Sequence, residues 1–333
     1  MGLVAEPLHR RILVTYRPPG DALDRLAELG EIDLWDGDTA IPHAELEARI
    51  GNADALYSML TDRIDGDLLD RAPQLLVVSN MAVGYDNIDV AACTERGIPI
   101  GHTPDVLTET VADTAFGLLI AAARRFGEGV DYIRNDQWKR WEPELLWGAE
   151  VHGSTLGIVG FGRIGAAVAK RAAGFGMSVI VTSRRRPPQA EELGVTHVSM
   201  QELLARADHV VIAVPLNPET SGMFDSAAFS AMKPTATLVN VSRGATVDTA
   251  ALVAALENGQ IGAAGLDVTD PEPLPANHPL ASLPNAYVIP HLGSSTARTR
   301  IAMARLAVSN LAAGLAGTAL PATVNPEVIR RRR

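Results

Sequence analysis

A chain of 333 residues that is 47% hydrophobic can bury sizeable cores, and its length favours two domains over one. A formal net charge of −10 argues against a nucleic-acid-binding surface, and no run of about 20 apolar residues is available to span a membrane. The single cysteine, Cys93, excludes an intrachain disulfide and a cysteine-cluster metal site, so no metal is expected. The first residues, Met1–Arg11, lack the apolar core and cleavage site of a leader, and Arg330–Arg333 reads as a solvated tail. A cytoplasmic protein fits these features.

Strand-like and helix-like runs alternate along nearly the whole chain, the pattern of parallel α/β architecture. Arg11–Thr15 reads as a strand and Asp21–Leu29 as a helix. Ala55–Ser58, Leu75–Ser79 and Ile98–Ile100 continue the strand series, with helices over Ile41–Ile50 and Val90–Arg96 between them. One long apolar helix is predicted over Thr108–Phe126. Strands follow at Thr155–Val159, Ser178–Ser183, His209–Val214, Thr237–Val241, Gly262–Asp267 and Tyr287–Pro290, and an alanine-rich helix over Ser295–Gly317 closes the series.

The segment Thr155–Gly165 is an apolar strand running into Gly160-Phe161-Gly162-Arg163-Ile164-Gly165 and then into a helix-forming run, Ala166–Ala173. In such a G-x-G-x-x-G the first glycine permits the tight turn, and the second lets backbone approach a pyrophosphate. The third lets helix and strand pack closely. The helix start then offers free N–H groups and a positive dipole end to phosphates. A second strand arrives on time at Ser178–Ser183, completing a βαβ unit. Where an NAD site carries Asp or Glu for the ribose hydroxyls, this chain has Thr182-Ser183-Arg184-Arg185-Arg186 and no carboxylate before Glu191. A hydroxyl and guanidinium groups suit a 2′-phosphate, so NADPH is the preferred cofactor and NADH the alternative.

Three segments put reactive side chains just after strands of this unit, where ligands bind in such folds. Val241-Ser242-Arg243-Gly244 carries an arginine, the turn from Asp267 to Pro273 carries Asp267 and Glu272, and Pro290-His291-Leu292-Gly293-Ser294 carries a histidine. Each alone has a plain structural explanation: a surface arginine, a loop carboxylate, a histidine beside a helix start. Together Arg243, Glu272 and His291 make a coherent set. Hydride delivery to a carbonyl needs a proton donor, and a carboxylate-paired histidine can serve, because the carboxylate orients the ring and raises its pKa. An arginine can hold a substrate carboxylate bidentately, which implies a 2-keto acid.

With these segments the chain resembles the D-isomer-specific 2-hydroxyacid dehydrogenases from about Arg11 to Glu327. The resemblance rests on Ser79–Asp89, Val111–Thr114, Gly160–Gly165, Val214–Thr220, Val241–Gly244, Asp270–Pro273 and Pro290–Ser294, in the family's order. It implies two Rossmann-like α/β domains, a dinucleotide-binding domain (104–295) inserted into a flavodoxin-like substrate domain (1–103 and 296–333). It assigns Arg243, Glu272 and His291 as the catalytic triad. Pyrophosphate contacts fall to Phe161, Gly162, Arg163 and Ile164, and nicotinamide carboxamide contacts to Asp267. Further cofactor contacts are expected at Thr114, Ser183, Arg184, Arg185, Pro215, Thr220, Val241, Ser242, Gly293 and Ser294. Substrate contacts are expected at Met59 and Leu60 and, through backbone N–H groups that bind the carboxylate, at Val83 and Gly84.

Within the family, Glu272 argues against a formate dehydrogenase, which has glutamine there, and Val83 against a phosphite dehydrogenase, which tends to have lysine. The chain ends before the regulatory domain that phosphoglycerate dehydrogenases often add. Ser58–Arg63, the aromatic segment Gln137–Pro143 and the basic turn resemble glyoxylate/hydroxypyruvate reductases. In those enzymes a tryptophan of this segment enters the neighbouring subunit's active site of a homodimer. Trp141 stands at the matching place; the alternative for Trp138 and Trp141 is interface or core packing. The implied reaction is NADPH-dependent reduction of glyoxylate or hydroxypyruvate to glycolate or D-glycerate. 2-Ketogluconate, phosphohydroxypyruvate or a bulkier keto acid remains open. A non-catalytic dinucleotide-binding corepressor shares the fold, but such a protein predicts a broken triad, and here all three members are present.

Overall fold

The twelve strands of the computed structural model, which describes residues 10–184 and 189–328, form two separate all-parallel sheets. Each sheet belongs to its own unit, one built from the chain up to Leu107 together with the chain from Thr296, the other from Thr108–Ser295.

The first unit holds β1 (Arg11–Val14), β2 (Glu31–Leu34), β3 (Ala55–Ser58), β4 (Val77–Asn80) and β5 (Ile100–Gly101), in the order β2-β1-β3-β4-β5. This is the flavodoxin order, with its switch point between β1 and β3. The central strands are buried on both faces, so Ile12, Leu13, Val14, Leu56, Val77 and Val78 form continuous apolar runs without alternation. Strand β2 was not part of the expected series. It lies at the sheet edge, half exposed, and Glu31-Ile32-Asp33-Leu34 alternates charge with apolar side chains as an edge tolerates. The helix Ala297–Leu315 packs on β3 and β4 from the far end of the chain. Its Gly314 is required there, because a Cβ would lie 2.5 Å from the Val77 side chain.

The second unit holds β6 (Thr155–Val159), β7 (Ser178–Thr182), β8 (Thr196–His197), β9 (His209–Ile212), β10 (Thr237–Asn240), β11 (Ala263–Leu266) and β12 (Ala286–Val288). Their order is β12-β11-β10-β9-β6-β7-β8, the doubly wound dinucleotide-binding order counted from β6. Its core joins Val159, Ile212, Leu238 and Leu266 of the central strands to Phe224 and Phe229. Full burial of each such side chain is worth about 1.5–3 kcal/mol. The expected helix Thr108–Phe126 is two helices, Thr108–Ala123 and Phe126–Arg134. Arg125 breaks it by adopting a left-handed φ of 56° while its guanidinium binds Glu128 at 2.7 and 2.6 Å. Among the described residues no helix is long and apolar enough to cross a membrane.

Because every strand is parallel, all strand ends of a sheet open onto one edge. In the second unit that edge carries the loops after β6, β7, β9, β10, β11 and β12. In the first it carries the loops after β1, β3, β4 and β5.

Candidate active site

At the end of β6 the backbone turns at Gly160, whose φ is +94° and whose Cβ would lie 2.5 Å from the Ala213 carbonyl. A Cβ on Gly165 would lie 2.2 Å from the Gly160 carbonyl, so the helix Arg163–Gly174 reaches the strand only with glycine there. Nothing lies within 4 Å of a Cβ built on Gly162, and no side chain caps this helix. The backbone at Gly162 can therefore be approached closely, and the positive dipole end of the helix lies beside it, a geometry that suits phosphate. The Phe161 side chain is buried in the core, which leaves its backbone as the part that can meet a ligand.

Strand β7 ends at Thr182 without a carboxylate, followed by Ser183 and the exposed Arg184, whose guanidinium lies 4.0 Å from Glu219. Arg185 and Arg186 lie outside the described residues, as do the terminal arginines. After β9, Thr220 donates its hydroxyl to the Pro215 carbonyl at 2.7 Å and accepts from the Asn217 N–H at 2.9 Å. Its hydroxyl thus closes the loop that carries Pro215.

The triad candidates meet at the ends of β10, β11 and β12. His291 Nδ1 lies 2.6 Å from Glu272 Oε1, a charge-assisted distance. Burial opposes charge on Glu272, but the hydrogen bond and charge of His291, the Thr269 N–H and the charge of Arg243 outweigh it. Together they hold the carboxyl below the ordinary carboxylate range. The ring is aimed by an unusual backbone: His291 has φ +51°, and its N–H donates to the Asp267 carbonyl at 2.9 Å. Asp267, 2% exposed, accepts from the N–H groups of Leu292 at 2.6 Å and Gly293 at 3.0 Å. A Cβ on Gly293 would lie 2.6 Å from that carboxylate. Burial pushes the Asp267 carboxyl upward against these donors and the charge of His291. Asp267 is therefore built into the loop that presents His291. Thr114 reaches the same loop from the helix Thr108–Ala123, donating to the Gly293 carbonyl at 3.3 Å, and Ser294 is buried beside it.

Arg243 follows β10, near enough for its charge to act on Glu272, its Nη1 donating to the Ser242 carbonyl at 2.9 Å. Two residues that sequence reasoning gave no role hold this turn. Asn240, 1% exposed, donates from Nδ2 to the Arg243 carbonyl at 2.9 Å and accepts from Ser242 N–H and Oγ at 3.0 and 2.9 Å. Gly244 packs flat on the neighbouring loop: a Cβ there would lie 2.0 Å from the Thr269 carbonyl, so only glycine seats the Arg243 turn against the loop of Glu272. A polar asparagine inside the apolar run Leu238–Val241 was the available signal. Val241, expected as a cofactor contact, has its side chain buried in the core, so only its backbone can serve.

The remaining expected residues belong to other elements. Met59 and Leu60 follow β3, and Val83 and Gly84 follow β4, at the strand-end edge of the first unit. Trp141 is 79% exposed, so core packing within the chain is not its role. Among the described residues no group of His, Cys, Asp and Glu is placed to hold a metal ion.

Known proteins resemble this chain in sequence and fold. A family model described as D-isomer specific 2-hydroxyacid dehydrogenase, NAD binding domain, matches residues 116–293. The chain is 45% identical over 328 residues to a glyoxylate reductase of Pyrococcus furiosus, covering 97% of both proteins. The TT0316 protein from Thermus thermophilus superimposes with a TM-score of 0.89 at 49% identity, over 94% of this chain and 99% of that one. An NADPH-dependent glyoxylate/hydroxypyruvate reductase from Sinorhizobium meliloti, solved with NADP and malonate, matches with a TM-score of 0.85 at 36% identity. That match covers 95% of this chain and 97% of the other.

Proposed function

This chain belongs to the D-isomer-specific 2-hydroxyacid dehydrogenases, a family of oxidoreductases, and on that premise we propose that it uses NADPH to reduce small 2-keto acids, glyoxylate and hydroxypyruvate. The products are the 2-hydroxy acids glycolate and D-glycerate. The observation that carries the reading is the 2.6 Å pair of His291 and Glu272 beside Arg243, at the strand-end edge of a dinucleotide-binding sheet. Relatives named glyoxylate reductase support the substrate class.

The chain's residues fit the cofactor. The uncapped helix start and the open space at Gly162 suit the pyrophosphate, and Ser183 with Arg184 suits a 2′-phosphate. When bound, the reduced nicotinamide supplies the hydride. The guanidinium of Arg243 holds the substrate carboxylate and polarises the adjacent carbonyl. His291, fixed through Nδ1 by Glu272, delivers a proton from Nε2 to the carbonyl oxygen as negative charge develops there. Glu272 stabilises the protonated ring, and the Asp267 carboxylate keeps the ring's loop in place. In the first unit, Met59 and Leu60 after β3 are candidates for substrate contact, and the backbone N–H groups around Val83 and Gly84 after β4 are the candidates for its carboxylate.

The cofactor preference has a direct test. Replacing Arg184 and Arg185 together by alanine should raise KM for NADPH by about 10-fold or more, the worth of one or two charge-assisted hydrogen bonds, and leave KM for NADH nearly unchanged. Equal losses for both cofactors would give the basic turn another purpose.

We also assign the exposed apolar face of the second unit to a homodimer contact. Phe126, Val130 and Ile133 recur at helical spacing on the helix Phe126–Arg134, which buries no residue within the chain, and Trp138, Trp141 and Trp147 are exposed after it. A monomeric mass in sedimentation equilibrium at micromolar concentration would contradict this assignment.

A further inference from the structure

The two loops assigned to the substrate are tied together by a pair of asparagine side chains. Asn87, in the loop after β4, donates from Nδ2 to the Met59 carbonyl at 3.1 Å and to the Asp62 carbonyl at 2.8 Å, both in the loop after β3. Its Oδ1 accepts from Asn80 Nδ2 at 3.2 Å, and that same nitrogen donates to the Gly84 carbonyl at 3.1 Å. The Oδ1 of Asn80 in turn accepts from Ser58 Oγ at 3.3 Å. Asn80 is fully buried, and every polar group of both amides is used.

What these bonds hold is peptide direction. In a planar trans peptide the C=O and the following N–H point opposite ways, so pinning a carbonyl from behind aims the next N–H outward. The peptides in both loops are trans, since the cis bonds lie at Asp270–Pro271 and Glu272–Pro273. Asn87 on the Met59 carbonyl therefore aims the Leu60 N–H, and Asn80 on the Gly84 carbonyl aims the Tyr85 N–H. His102 Nδ1, 3.0 Å from the Val83 carbonyl, does the same for the Gly84 N–H. In the loop after β3 the Met59 N–H is already consumed, donating to the buried carboxylate of Asp62 at 2.7 Å, where Thr15 Oγ1 also donates at 2.5 Å. The Leu60 N–H, aimed by the bond to the Met59 carbonyl, is then an outward donor of that loop.

We infer that Asn80 and Asn87 are positioning residues: their amide pair sets the Leu60 and Tyr85 N–H groups, which with the Gly84 N–H set by His102 make one preformed receptor for the carboxylate of a small 2-keto acid. The inference rests on the reductase reading above, and it adds which residues hold the receptor in shape. Preformed donors need no reorganisation on binding, so their loss weakens carboxylate affinity and spares the chemistry of a bound substrate.

The test compares wild type with Asn87→Ala and with the isosteric Asn87→Asp, which keeps the Oδ1 acceptor and loses both donated bonds. Asn87 is partly exposed, so either variant has room to fold, and thermal melting with NADPH affinity verifies that each does. Two quantities are read: KM and kcat for glyoxylate, and the calorimetric Kd of oxalate, a non-reacting dicarboxylate, in the presence of NADPH. KM and oxalate Kd should rise together by about 10-fold or more, with kcat within about threefold and NADPH Kd unchanged. A folded Asn87→Ala protein whose KM and oxalate Kd match wild type would overturn the inference, as would a loss confined to kcat or to melting temperature. Wild-type protein that binds oxalate but reduces no 2-keto acid would sink the reductase reading alone. Weakened oxalate binding in both variants would then still uphold the asparagine pair.

Discussion

Replacing His291 should cut kcat for glyoxylate reduction by about 10²–10⁴-fold, the range a positioned general acid supplies, with NADPH affinity nearly intact. The separation follows from geometry. His291 lies at the end of β12 beside Glu272, whereas the pyrophosphate candidates lie at the end of β6 and the 2′-phosphate candidates at the end of β7. The choice of variant matters, because His291 occupies a left-handed conformation with φ +51°. Alanine there costs about 1–2 kcal/mol of backbone strain, whereas asparagine visits this region far more readily. His291→Asn is thus the cleaner test: it removes the proton donor and keeps the turn that Asp267 holds. Single-turnover rates with NADPH, together with a fluorescence titration of NADPH binding, read the two effects separately. A His291→Asn enzyme with near wild-type kcat would remove the histidine from the chemistry.

Arg243→Ala should lower kcat/KM by about 10²–10³-fold, because two charge-assisted hydrogen bonds to a carboxylate are lost where the partner is desolvated. Arg243→Lys should recover only part of this, since an ammonium restores the charge without the planar fork. Unlike the histidine variants, both should raise KM for glyoxylate, and oxalate inhibition should weaken in parallel. The turn itself stays seated in either variant, because Asn240 binds the Arg243 carbonyl and Gly244 packs on the Thr269 carbonyl. Unchanged KM and oxalate inhibition in Arg243→Ala would mean that the carboxylate is anchored elsewhere.

Much of this arrangement was legible in the chain. The apolar runs at Arg11–Val14, Ala55–Ser58 and His209–Ile212 are strands because parallel sheets bury both faces, and such runs announce themselves. The glycine spacing at Gly160, Gly162 and Gly165 carried its own geometry. The rule that ligands gather at strand ends picked out Arg243, Glu272 and His291. Other features depend on loop conformation, which periodicity does not encode. The 2.6 Å contact of His291 with Glu272, 19 residues apart, needs the positive φ at His291. The two backbone N–H groups that the Asp267 carboxylate accepts from the His291 loop are likewise a matter of loop conformation. Strand β2 escaped notice because an edge strand can alternate Glu31 and Asp33 with apolar residues. The break after Ala123 escaped because Arg125 looks helical in composition and is not in conformation. Asn80 and Asn87 gave no signal beyond a polar residue at a strand end and another in a turn, since their role exists only once two loops are side by side.

The measurement that bears most directly on the proposed reaction is the initial rate of NADPH and NADH oxidation by the purified protein with glyoxylate, hydroxypyruvate, pyruvate and 2-ketogluconate. Rapid turnover of glyoxylate and hydroxypyruvate, with higher kcat/KM for NADPH than for NADH, is the predicted result. Saturable NADPH binding without oxidation by any of the four acids would contradict it.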